Sequence, residues 1–555
     1  PPPIITMSPL IQTGTVPPSG PKPSFPRRLL RWCFSWRALR AAVFAGAALV
    51  TLAALGMGIW NWKAERAWRA YRAGAESAGE KLMLPQVIPP PIPEGGNLAM
   101  TPFLRPLFDY ETRDGNTVRK DEPGWTRVVT AGKGAFRQST SRPGMKVPAA
   151  GNWRLGHPTD LVAWQDYYAA AKEFPTPQAP GRPGADIILA LGESSDALAE
   201  LRGALSRPRC WFPVHYADAN PAGILLPHLS VIKRMHGYLA LWATAQLSEH
   251  QPDIAARDLE IAFRLQRGIE QEPMLISYLV NIASLQIYLH SLWEGCIRHE
   301  WSADQLARFQ AQLGETDCLE GLKRAIRGER AFGNAIYERW LSNRGTLGSD
   351  WAQFQDVVPN DGRPQGLAAP GLLGYLFPRG LLRENQLLQN QYASAMLAGL
   401  GSLGSPAGNY HRIDLEAVTA SAHGLLKPPG YRNILVSMLA PALDGVVSKG
   451  LLAQASRDVA LAGIAIERYR LAKGEYPERL EQLTPEFLPS LPKDVYTGEP
   501  LHYRRDSKDL FMLYSVGPNG QDDHGVWPHT EQAARGGQRG GAAPDDVVWR
   551  YVTPE

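Results

Sequence analysis

Cysteine is scarce: Cys33, Cys210, Cys296 and Cys318 are the only four in 555 residues, and none stands in a CxxC pair. That spacing indicates neither a zinc knuckle nor a disulfide framework, and isolated cysteines of this kind are expected as buried small hydrophobes. An excess of one charge is also missing. Fifty-eight basic residues against 54 acidic ones leave a formal charge of +4, so no nucleic-acid partner is expected. Catalytic signatures are lacking as well. The chain has no Walker loop, kinase set, dinucleotide fingerprint or GxSxG elbow. Gly192–Ser195 reads GESS, and His299-Glu300 continues as WSA, which fails the HExxH zinc pattern. His228 and His236 lie eight apart on one expected helix with no acid at ligand spacing. They read as packed or surface histidines. These absences remove the grounds for proposing a reaction without excluding one.

What is present begins with a core-forming composition, 44% apolar and 20% charged, which excludes a wholly disordered or collagen-like chain. At roughly 100–200 residues per domain the length predicts two to four units. The clearest signal is Ala41–Trp60, AAVFAGAALVTLAALGMGIW, twenty residues without a charge. As a helix it spans about 30 Å, the thickness of a bilayer core. Residues 1–40 carry Lys22, Arg27, Arg28, Arg31, Arg37 and Arg40 and no acid, whereas 61–81 mix five bases with three acids. The purely basic side is expected to stay cytoplasmic, which puts everything after Trp60 across the membrane. No second uncharged apolar stretch reaches eighteen residues, so one crossing is expected. Residues 1–26 are rich in proline, serine and threonine and read as a flexible tail; Met7 is the expected start.

Beyond the anchor, KAERAWRAYRAGAESAGEKL predicts a helical stem over 61–84 that ends before the proline-rich 85–93. Residues 85–160 read as an irregular segment, with 97–110, NLAMTPFLRPLFDY, wrapping the next unit in extended form. Helical periodicity then predicts helices over 161–174, 194–207, 227–251, 252–271, 273–297, 302–314 and 319–340, an α-helical domain of 161–340. Short links between them imply antiparallel neighbours. Arg327, Glu329, Arg330 and Glu338 on the last of these are expected to form its solvated face, a buried network or a groove lining being the other reading. Residues 341–377 read as a long loop, the first part of a loop-rich and helical continuation to 451. Within it, 382–400 form a helix, and 433–474 are expected as a broken helix followed by a long one, interrupted at Pro441.

The C-terminal end is more specific. Val459, Ala462, Ile466 and Tyr469 mark a helical stripe, Gly474 is placed to cap it, and LHYRR and LFMLYSVG read as short strands. Asp522 and Asp523, with Asp494 and nearby backbone carbonyls, could offer hard oxygens to a calcium ion; a polar turn with its acids in water is the other reading. Residues 531–555 are expected as an irregular tail.

This region resembles the globular part of type II secretion major pseudopilins. The matching positions are Tyr469, Gly474, Tyr476, Pro477, Leu491, Pro492 and Asp494, then Tyr514, Ser515, Gly517, Asn519, Gly520, Asp522 and Asp523. The resemblance implies a small α+β domain over 452–530 whose closing loop binds calcium. It covers near one eighth of the chain. Asn97–Tyr110 is similar to a segment that follows the anchor in large membrane-anchored proteins of environmental bacteria. The match stops short of a pilin subunit. The membrane helix lies some four hundred residues upstream of the module, and Arg40-Ala41 has neither a preceding glycine nor a following glutamate for prepilin processing.

The expected architecture is therefore mainly α: a single N-terminal transmembrane helix, an irregular α-helical extracytoplasmic body, and a small C-terminal α+β pseudopilin-like domain. The expected setting is a bacterial inner membrane, with the body periplasmic. The lipid bilayer and envelope proteins are the expected partners, in a non-catalytic scaffold role linked to secretion or pilus-like machinery. The alternative is an extracytoplasmic hydrolase with an unmotified site, placed around 341–377.

Overall fold

A computed structural model describes residues 36–551, apart from 114–115, 133–146, 172, 218–219, 349, 351–376, 402–412, 414, 429 and 528–544. Most of the basic tail, most of the 341–377 loop and much of the C-terminal tail thus lie outside the described residues. The chain is mainly α-helical and carries a small β-sheet near its C-terminus.

The first helix, α1 (Trp36–Ser77), has 42 residues and joins the expected anchor and stem without a break. No residue of its most apolar window is buried. From Trp60 onward the same helix turns inward: Ala64 and Trp68 are buried and Asn61, Glu65, Tyr71 and Ala75 half-buried, the spacing of one helical face. The stem is therefore a packed element of the body. Residues 94–108 are built from 3₁₀ turns, Glu94–Gly96, Leu98–Met100 and Arg105–Leu107, where an extended run was expected. Asn97 caps the middle turn through the Ala99 N–H, and the turns push Leu98, Phe103, Leu104 and Leu107 into the core. The segment then forms a hairpin, β1 (Tyr110–Arg113) with β2 (Asn116–Arg119), and a helix, α2 (Glu122–Thr130).

The body is a layered set of helices: α3 (Leu161–Ala170), α4 (Pro183–Ala190), α5 (Ser195–Gly203), α6 (Pro227–Ser248), α7 (Pro252–Glu270), α8 (Leu275–Ile297), α9 (Ala303–Glu315) and α10 (Cys318–Ser342). Their starts follow local chemistry. Proline opens α4, α6 and α7, where its missing N–H costs nothing. Ser302 and Gln305 make a reciprocal capping box on α9. Then come α11 (Arg379–Gly399), α12 (Leu415–Gly424) and α13 (Ile434–Lys473). The last is one continuous helix of 40 residues, where a break at Pro441 was expected. An internal proline costs about 3 kcal/mol; the nearly complete burial of Val446–Ile466 offsets that.

The C-terminal sheet is antiparallel in the order β3 (His502–Ser507), β4 (Leu510–Ser515), β5 (Val547–Arg550). Its third strand corrects the expectation of an irregular tail: Val547–Arg550 pairs with Met512–Ser515. Four residues carry too little alternation to announce a strand, and the partner lies more than thirty positions away. One apolar core runs from Leu98 through α6, α7, α8 and α13 to Trp549. At Gly463 on α13 a Cβ would meet the Trp549 ring at 2.7 Å, so glycine is what lets the strand lie against the helix.

Candidate functional site

Two places gather chemistry in the body. The first is a cavity of about 600 Å³ bounded by α6, α8, α13 and residues 150–159. Its walls are apolar, including Leu241, Leu279, Ile282, Ile287, Leu452 and Trp164. Lys233 of α6 and Lys449 of α13, both exposed, stand at its edge. Neither has an ion pair among the described residues. Arg154 and His290 complete the charged or titratable lining, which contains no aspartate or glutamate.

Behind the cavity, His290 belongs to a buried polar cluster. Its Nε2 is 3.0 Å from Thr159 Oγ1 and 3.3 Å from Glu294 Oε1. Burial pushes the Glu294 carboxyl up. Hydrogen bonding and charge from His290, the Arg298 guanidinium and the donating Thr159 N–H outweigh that and hold it at about 2. Hydroxyl, imidazole and carboxylate are the parts of a nucleophilic triad, yet here the hydroxyl and the carboxylate meet the same ring nitrogen. A triad needs them on opposite nitrogens so that the base is oriented while it takes the proton. His290 Nδ1 is buried with no hydrogen-bond partner among the described residues.

A second cluster fails as a triad for a different reason. His228 Nε2 lies 2.6 Å from Glu272 Oε1, and Ser277 donates to the other Glu272 oxygen, so serine and histidine do not meet. All three side chains are buried. His236, the other histidine of the expected pair, contacts the Ile232 carbonyl at 2.9 Å, and burial lowers its pKa to about 4. The two histidines are packed, as expected. So are Cys210, Cys296 and Cys318, which are buried free thiols.

The second place is the C-terminal turn. Asp494 is buried and accepts from the Tyr496 N–H at Oδ1 and from the Val516 N–H at Oδ2. Asp522 accepts from the Tyr514 hydroxyl and the His524 N–H. Asp523 accepts from the Asn519 side chain and the Asp545 N–H. The three sequence-chosen acids thus turn to three different sets of donors. Asp523 instead sits with Asp545 and Asp546, which precede β5. Burial raises Asp545 to about 6 and Asp546 to about 7, and the nearby Asp523 charge adds to both. Among the described residues, no group of three His, Cys, Asp or Glu side chains is arranged to hold a metal ion. The motif tyrosines have structural partners: Tyr476 is buried on Phe511 and bonded to Glu467, and Tyr469 packs edge-on against Phe487. Gly474, at φ 83°, ends α13 in the left-handed conformation expected of it.

Apart from these two places, a polar junction joins α1 to the body. Trp60 Nε1 donates to Glu384 at 2.7 Å, the Gly380 N–H donates to Asn61 at 2.6 Å, and Arg383 pairs with Glu65 at 2.7 Å. Further along, Tyr71 meets Ser394 at 3.0 Å, and Arg330 pairs with Glu80. Arg330 is 1% exposed and Glu338 pairs with Arg383. These α10 charges are a buried seam and its edge, where a solvated face was expected. Periodicity marks a polar face; it does not say that another helix will cover it.

No protein family, curated protein or solved structure matches the chain.

Proposed function

We propose that the protein is a non-catalytic scaffold or interaction protein of a bacterial envelope, anchored once in the inner membrane with its N-terminus cytoplasmic and its body periplasmic. Secretion or pilus-like machinery is its proposed setting. The observation that carries the reading is the junction just described. One helix continues from an exposed apolar run into a packed stem, and hydrogen bonds along α11 begin at Trp60, the last residue of that run. A body fastened at that point is held at a set height and orientation against the bilayer, which suits a platform for partners. The surface beside the junction fits a headgroup region. Trp62, Tyr431 and Ile434 are exposed there, and Phe377 stacks on Tyr431. Arg432 lies over the Trp60 ring. Aromatic rings with arginines are the composition of a membrane interface.

The test is cross-linking in native membranes from a photoreactive residue placed at exposed body positions such as Ile254 or Leu189. A discrete adduct of constant mass, lost when the body is released from the membrane by a protease site after α1, is the expected result. Absence of any adduct from the whole exposed surface, together with substrate turnover by the purified chain, would replace this reading with the hydrolase.

A further inference from the structure

We propose that the cavity between α6, α8 and α13 binds an amphiphile made of one acyl chain and an anionic head. This goes beyond the scaffold reading and does not depend on it. At about 600 Å³ the cavity falls within the roughly 300–1,000 Å³ of small-molecule sites, too small for a folded partner. Its apolar walls are contributed by three separate helices, so it is a feature of the packed fold. Leaving such walls to water forfeits burial that an alkyl chain would recover.

Charge identifies the head. The lining holds Arg154, Lys233, Lys449 and His290 and no acid, in a chain whose basic and acidic residues are nearly equal in number. Lys233 and Lys449 come from different helices, remain exposed, and meet no carboxylate among the described residues. Where the body buries a base beside a carboxylate the two pair, as in Arg202 with Asp258 and Arg457 with Asp458; the cavity lining offers its bases no such acid. Two unpaired ammonium groups beside an apolar hollow complement a chain that ends in a carboxylate or phosphate. Lysine suits this role as a point charge on a flexible stem that adapts to either head.

The ligand could be a free fatty carboxylate or a single-chain lysophospholipid, and the experiment separates them. The full chain is placed in phosphatidylcholine nanodiscs with a diazirine analogue of palmitate, irradiated, and its adducts mapped. The expected adducts lie on α8 and α13 peptides. They should fall at least fivefold in the double variant Lys233→Glu/Lys449→Glu, whose thermal midpoint should match the parent because both side chains are exposed. Ala283→Trp, which fills the cavity from α8, should remove the adducts without touching the charges. Competition by palmitate identifies a fatty acid, and competition by lysophosphatidate alone identifies the phospholipid; either supports the site. Adducts confined to α1, adducts unchanged by the charge reversal, or equal competition by uncharged hexadecanol would overturn it.

Discussion

Among the described residues two helices are long and apolar enough to cross a bilayer, and they meet opposite fates. In the apolar window of α1 none of the residues is buried; in that of α8, 61% are. The difference lies in their polar residues. The first carries a single threonine across twenty apolar positions. The second includes Ser277, Asn281, Ser284, His290, Ser291 and Glu294, all buried, and Glu294 has partners from the 159 backbone, His290 and Arg298. Hydropathy alone ranks both as spans. A helix that must satisfy polar side chains needs a protein around it, and one that has none to satisfy can face lipid.

The sharpest way to break this comparison is to put the same charge in each helix. Leu289→Arg, at a fully buried α8 position, should cost more than about 4 kcal/mol, because the charge has no partner; the body should fail to accumulate in a protease-resistant form. Leu49→Arg on the exposed part of α1 should leave the thermal midpoint of the body unchanged. It should weaken insertion by about 2.5–3.5 kcal/mol, seen as release into the alkaline carbonate wash.

The next test concerns the two halves of α1 itself. Trp68 is 2% exposed in the stem, so Trp68→Ala should cost about 3–5 kcal/mol. Limited proteolysis should then cut between the stem and the body at residues 78–93. Truncating Leu52, which is exposed, should leave that cleavage as slow as in the parent.

Acid should separate the core from the C-terminal turn by the sign of its effect. Glu294 titrates at about 2 in the fold, below the roughly 4.3 of an unfolded chain. Its ionised form therefore stabilises the fold above that value, and the contribution, on the order of 2–3 kcal/mol, is lost as pH falls from about 4.3 towards 2. Glu294→Gln should flatten that part of the stability curve. Asp545 and Asp546 are raised to about 6 and about 7. Their contribution is complete below the unfolded value near 3.9 and is lost as pH rises from there to about 7. Asp545 is half-buried and Asp546 fully buried, so the larger part of the effect should come from Asp546. Hydrogen exchange at the Gly525 amide, which donates to Asp546, should therefore quicken between pH 5 and 7.5 by more than the intrinsic rate accounts for. Asp523→Asn should reduce that excess.

Much of the helical body is legible along the chain because its helices are long and periodic: Pro227–Ser248, Pro252–Glu270 and Ala303–Glu315 fall within two or three residues of expectation. The misses share a cause. Pro183–Ala190 is short and apolar on nearly every side, without a stripe to read. The β5 strand and the pairing of Asp523 with Asp545 and Asp546 join distant segments. Pro441 argues locally for a break that burial overrides. The cavity was invisible for the same reason: Lys233 and Lys449 are ordinary surface lysines until two helices bring them to one opening. Local chemistry writes starts, caps and stripes. Sites made by packing leave no mark on any single segment.

The central claim, that α1 crosses the membrane once and holds the body on the far side, can be tested with the chain's own thiols. Cys33 precedes the anchor, and the other three cysteines are buried. Gly74→Cys adds a probe on the stem at a position open to solvent. With the outer membrane permeabilised, a membrane-impermeant maleimide should label residue 74 at once and Cys33 only after the inner membrane is lysed. Labelling of both before lysis, or of Cys33 first, would contradict the account.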